Sequence, residues 1–395
     1  MDLLTRQPVV IDAGTHSIKA GFAGEDRPSV VLRSAVGRPK LPRVMAGGAL
    51  ADADAFVGAR AEAHRGALTM HPAMARGAPA SWADVELLWA SLFDAARLQP
   101  QAHLRARPSE QAVLLAEPPL ASRVQRERAA QVMFEQLRVP ALYICPSSPL
   151  ALYASGRTTG VVLDVGEGCS HATPVYEGFA LPHAVARSDV GGRDVTERLA
   201  LLLRKAGTVL HCGAELEALA AAKEAACFVS ANPAADEAAF AAALEGAGVT
   251  AGKAPMQEYR LPDGQRIVLG AERFRAAEVL FRPALAGLEC RGAADLLASA
   301  LARADLDLRA PLFQSVVLAG GATTTRGFGA RLLSEMRRLA PGPDVKLRVF
   351  APSDRATLTW VGGSILASLG TFKSLWVTKG QFEEEGPRCV HAAAL

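Results

Sequence analysis

The chain has 395 residues, enough for two or more domains of ordinary size with a sizeable buried core. Half of the residues are hydrophobic and 21% are charged, and 43 Lys and Arg against 40 Asp and Glu leave a formal charge of +3, which argues against nucleic acid or an anionic membrane as the main partner. The cysteines (Cys145, Cys169, Cys212, Cys227, Cys290 and Cys389) are scattered without a paired metal motif, and no apolar run reaches the roughly 18 residues that span a bilayer. Met1 to Arg6 lead almost directly into a strand, so no signal peptide is expected. These features predict a cytoplasmic α/β protein with reduced thiols and no membrane insertion.

Taken in chain order, the first element is Val9-Val10-Ile11-Asp12-Ala13-Gly14-Thr15. An apolar β-branched run marks a strand buried on both faces, Asp-x-Gly marks a turn, and residues 18–22 resume as a second strand. Residues 127–135 read as an amphipathic helix. Val161-Val162-Leu163-Asp164-Val165-Gly166-Glu167-Gly168 then repeats the strand and turn, and a second strand follows. Residues 195–204 and 214–227 carry Ala and Leu at helical spacing, while the Ala-rich residues 231–252 read as the weakest-structured stretch, a surface insertion. Val316-Val317-Leu318-Ala319-Gly320-Gly321 is a buried strand ending in a Gly-Gly turn, a shape that fits against a nucleotide's base and ribose. Hairpins alternating with helices predict α/β layers, and two such units predict two similar lobes with a cleft between them. No Ser/Gly linker separates them, so they are expected to pack together.

The two turns suggest phosphate chemistry. Small residues let the backbone approach an anion, successive N–H groups form a nest for it, and a carboxylate can hold the water shell of a Mg²⁺ ion. A single Asp-x-Gly reads first as a hairpin turn chosen for its geometry. Two copies, each after a buried strand, favour a triphosphate site with Asp12 and Asp164 facing the cation. Lys223-Glu224, by spacing alone, reads as part of a solvated helix face.

Longer strings carry a family likeness. Lys19-Ala20-Gly21-Phe22-Ala23-Gly24, Tyr153-Ala154-Ser155-Gly156-Arg157-Thr158-Thr159-Gly160 and Trp360-Val361-Gly362-Gly363-Ser364-Ile365 resemble the actin superfamily, and the likeness runs over nearly the whole chain. It implies a two-lobed actin-like ATPase fold, with duplicated sheet-and-helix domains around a nucleotide cleft. The expected small lobe is 1–154 (outer subdomain 34–71), the large lobe 155–357 (outer subdomain 191–288), and 358–395 return to the small lobe. Hinges are expected near 149–155 and 352–358. The resemblance implies ATP or ADP with Mg²⁺ or Ca²⁺. Asp12 and Asp164 would order the metal's waters, backbone at Gly14, Thr15 and Gly166-Glu167-Gly168 would hold phosphates, and Lys19 would contact them. Gly192, Lys223, Glu224, Gly320 and Gly321 would form the adenosine pocket. Strings such as Gly37-Arg38-Pro39-Lys40 and Leu280-Phe281-Arg282-Pro283 resemble the centractin branch of the superfamily. That branch implies self-association into a filament, with dynactin subunits and conventional actin as partners, in the cytoplasm, cytoskeleton or centrosome. Residues 40–50, with Gly47 and Gly48, and residues 287–306 would supply filament contacts.

Several positions depart from the family pattern. Ser147 stands where the resemblance places a water-positioning Gln, while the companion His is present as His171. His16 stands where Gly is usual, Glu167 replaces Asp, Ala356 replaces a Lys against the adenine, and the tail from His391 is neither basic nor aromatic-ended. In-line water placement is most of what a protein contributes to phosphoryl transfer, so slow hydrolysis at most is expected. The alternatives left open are a sugar-kinase-like or chaperone ATPase of the same fold, and a specialised, non-polymerising actin-related protein.

Overall fold

A computed structural model describes residues 6–41, 53–94, 98, 103–208, 213–246, 256–262, 264–339 and 346–391. Residues 42–50 with Gly47 and Gly48, Cys212, residues 247–252 and the last four residues lie outside the described part. The fold is α/β, with two large mixed sheets flanked by helices.

The first sheet runs Val377–Thr378, Ala141–Pro146, Val113–Glu117, Val9–Ala13, Ser17–Phe22, Val30–Arg33. Val9–Ala13 is parallel to Val113–Glu117 on one side and antiparallel to Ser17–Phe22 on the other. Side chains alternate along a strand, so a strand buried on both faces serves two cores. Val9 and Ile11, Val113 and Leu115, and Leu142 and Ile144 enter one cluster with Leu88, Trp89 and Phe134. Val10, Leu114, Tyr143 and Cys145 enter the other with Leu150, Trp360 and Trp376. Trp360 also donates from Nε1 to Val10 O at 3.0 Å, tying the helix Leu358–Ser368 to the central strand.

The second sheet runs Phe179–Ala180, Ser170–Tyr176, Gly160–Val165, Val316–Ala319, Val349–Phe350, and Ala186–Ser188 pairs with Ser170–Tyr176. Val161, Val162 and Leu163 have no exposed surface, as their apolar run predicts. Both sheets therefore centre on a hairpin whose first strand borders a strand from far along the chain. By internal contacts the chain forms two compact units, one of residues 1–162, 173–185 and 354–395 and the other of 163–172 and 186–353.

Helices follow the predicted pattern with shifted ends. The 127–135 helix begins earlier, as Arg123–Gln131, because Ser122 and Gln125 form a reciprocal cap, and it ends in a π-helical turn, Val132–Gln136. The other two are Gly192–Lys205 and Gly213–Ala226. Val195, Leu199 and Leu203 form the buried stripe of the former. The Ala-rich stretch is not weakly structured where it is described: Pro233–Gly246 is a largely exposed helix. Alanine has the highest helix propensity, Pro233 suits the first helical position, and Asn232 Oδ1 accepts from Ala235 N at 3.4 Å. The described cysteines form no disulfide, and among the described residues no helix is long and apolar enough to cross a membrane.

Candidate nucleotide site

The candidate residues fall in both compact units. In the first unit, the Val9–Ala13 and Ser17–Phe22 register sets Asp12 directly opposite Lys19. Lys19 Nζ donates to Asp12 Oδ2 at 2.9 Å, with both side chains about 15% exposed. Gly14 N closes the turn on Ser17 O at 3.1 Å, and Ser34 Oγ donates to Gly14 O at 2.6 Å. Thr15 Oγ1 accepts from Gly77 N, so its hydroxyl anchors a neighbouring loop. The backbone amides of Thr15 and His16 donate to no described residue. His16 is exposed and lies outside the left-handed region, so a histidine at this position strains nothing.

In the second unit, Asp164 lies near the end of Gly160–Val165, and Gly166 N bonds Cys169 O at 3.0 Å. This is the closure seen at Gly14, made a second time. The N-terminus of Gly192–Lys205 caps the turn from the side: Gly192 N donates to Gly166 O and Arg193 N to Glu167 O, each at 2.9 Å. Lys223 Nζ donates to Gly192 O at 3.0 Å and stands 3.7 Å from Glu167 Oε2. Gly192, Glu167 and Lys223 thus form one cluster, whereas Glu224 beside Lys223 is exposed. Gly320 has φ +85° and packs on Asp164 and Val165; a Cβ there would lie 2.7 Å from the Val165 carbonyl carbon and closer still to Asp164 Oδ1. Gly321 faces open space. The two glycines of one turn thus differ: the first fits a close approach and the second leaves room.

His171 is 3% exposed on Ser170–Tyr176, paired across the sheet with Arg187. Its Nδ1 stands 3.9 Å from Cys169 Sγ, and its Nε2 has no hydrogen-bond partner among the described residues. Burial, helped by Arg187 and opposed by Asp189, lowers its pKa to about 4, so the ring is neutral at pH 7. Ser147, in the first unit, is the buried first residue of the helix Ser147–Ala154. Pro146 is its N-cap and Pro149 lies in its first turn, positions where the missing N–H breaks no intrahelical bond, so the prolines start the helix rather than distort it. Ala356 lies exposed in the turn before Leu358–Ser368. Sequence reasoning missed Ser34, Gly77 and Gly191. The last shows as a Gly-Gly pair opening a helix, but the first two are joined to the turn only by the fold.

The family model described as Actin matches residues 4–394. An "Actin-like protein" of Neurospora crassa is 45% identical over 391 residues, covering 99% of this chain and 98% of that protein. The chain belongs to the actin family.

Actin-family membership implies ATP and divalent-cation binding, and it sets aside the sugar-kinase and chaperone alternatives. The residues present fit both groups. Among the described residues the amides of Thr15 and His16 have no acceptor and His171 Nε2 has no partner, which suits phosphate oxygens and a water, and backbone atoms leave no room for a side chain at Gly191 or Gly320. Among the described residues no group of three or more His, Cys, Asp and Glu side chains is gathered as a metal site.

Proposed function

We propose that this actin-family chain holds ATP or ADP with Mg²⁺ or Ca²⁺ on its two Asp-x-Gly turns, hydrolyses ATP slowly, and serves as a filament subunit. Bound cation offsets phosphate charge. Asp12 and Asp164 would hold the cation through its waters, Lys19 would pair with a phosphate, and the backbone of Gly14, Thr15 and Gly166 to Gly168 would cradle phosphates. Gly192, Lys223, Glu224, Gly320 and Gly321 line the adenosine side. Neutral His171 holds a water through Nε2.

The observation that carries slow turnover is Ser147. Its hydroxyl is fixed at the buried start of a helix and is too short to place a water where a carboxamide would. Single-turnover hydrolysis measured beside conventional actin tests this; an actin-like rate would refute it.

The finer reading is a centractin-like subunit of the dynactin filament, in the cytoplasm and cytoskeleton. The strings around residues 37–40 and 280–283 support it, and head-to-tail contacts that do not close would build the filament. Co-purification of dynactin subunits from extract, with filaments by electron microscopy, is the expected result. Ser147 and the altered tail favour a second reading, a specialised actin-related protein that does not polymerise; absence of both results would select it.

A further inference from the structure

Away from the nucleotide loops, the first compact unit carries a pocket of about 390 Å³, within the roughly 300–1,000 Å³ of ligand sites. Its rim is basic. Arg6, Arg105 and Arg107 are exposed around it, while His103 and Gln111 lie deeper. Glu110 is the one carboxylate in the described lining; it accepts from Arg6 Nη1 and stands 3.7 Å from Arg107 Nη1. One carboxylate against three guanidiniums leaves an excess of positive charge, and Arg105 has no ion-pair partner among the described residues.

The deeper wall is unsatisfied. Gln111 is 8% exposed, and its Oε1 lacks a hydrogen-bond partner among the described residues, as does His103 Nδ1. Gln111 follows the 3₁₀ turn Pro108–Glu110 and stands two residues before the buried strand Val113–Glu117. The strand fixes its backbone, so the carboxamide stays inside, and a buried acceptor without a donor is costly.

We propose that this pocket binds an acidic peptide segment of a partner protein, its carboxylates on Arg105 and Arg107 and a backbone N–H donated to Gln111. Guanidinium forks pair carboxylate and phosphate alike. A peptide supplies several carboxylates along one chain for the separate rim guanidiniums, together with a backbone N–H for the deeper Gln111 carbonyl.

The test is calorimetric titration of the full chain with a blocked tetraglutamate peptide, a blocked tetraglutamine peptide and inorganic phosphate. Saturable binding of tetraglutamate alone, weakening as salt rises, is the expected result. Arg105→Glu with Arg107→Glu, both at the surface, removes it without changing the melting temperature. Gln111→Leu weakens peptide binding by about fivefold. The proposal is overturned if tetraglutamine binds as well as tetraglutamate, or if the double charge reversal leaves binding intact. It is equally overturned if phosphate matches and fully displaces the peptide, which would make the pocket a simple anion site.

Discussion

Gly320→Ala adds one methyl group at the point where the Val316–Ala319 strand turns beside Asp164. Two terms oppose it. The backbone there, at φ +85° and ψ 149°, lies in a region that is essentially glycine-only, and forcing another residue into it costs about 1–3 kcal/mol. The new Cβ would also lie 2.7 Å from the Val165 carbonyl carbon, with Asp164 Oδ1 and Val165 O nearer. The carboxylate can rotate aside, but the Val165 carbonyl cannot retreat without moving the second hairpin, and such overpacking adds about 1–3 kcal/mol. A loss of roughly 4 kcal/mol is therefore expected, together with weaker nucleotide binding as Asp164 is displaced. Urea unfolding and fluorescent-nucleotide titration measure the two effects. Gly321→Ala, where a Cβ meets nothing within 4 Å, is the control and is expected to change stability by less than about 0.5 kcal/mol. Equal stabilities for the two variants would refute the argument.

Ser147→Gln is expected to raise single-turnover hydrolysis by about tenfold or more, read as phosphate release, if a carboxamide at that place positions water; an unchanged rate would remove Ser147 from the explanation. Lys19→Met leaves Asp12 without its 2.9 Å partner and is expected to weaken nucleotide binding while shifting stability by about 1 kcal/mol; unchanged affinity would argue against a phosphate contact. His171 titrates near pH 4 in the fold, below the ordinary histidine value. As pH falls from about 6.5 towards 4 only the unfolded chain takes up this proton, so stability is full above that window and drops within it. Between pH 7 and pH 5 the loss from His171 is about 2 kcal/mol. Unfolding free energies of the wild type and His171→Gln, compared at the two pH values, check it; parallel losses would contradict the neutral, buried state.

Local pattern revealed the elements and both turns. The apolar runs at 9–11 and 161–163 became central strands because a strand buried on both faces needs no polar alternation. The pattern failed where the partner is distant. Thr15 is held by Gly77, sixty-two positions on, and no periodicity encodes that link. Lys223 and Glu224 are indistinguishable by composition, yet one points into the Gly192 cluster and the other into solvent, because the helix angle separates neighbours. The Ala-rich segment misled in the opposite direction: it reads as a weakly structured surface insertion, and helix propensity with Asn232 bonding Ala235 N gave a helix over Pro233–Gly246.

The two hydrogen bonds from Gly192 N and Arg193 N to the second turn have a mechanical consequence. A helix of 14 residues is about 21 Å long, and its backbone bonds make it a stiff rod clamped at one end to the carbonyls of Gly166 and Glu167. A tilt of the turn by a few degrees therefore sweeps the far end, near Lys205, through an ångström or more. A change of orientation at the turn is thus carried along the whole helix and its buried stripe of Val195, Leu199 and Leu203 instead of being absorbed where it starts.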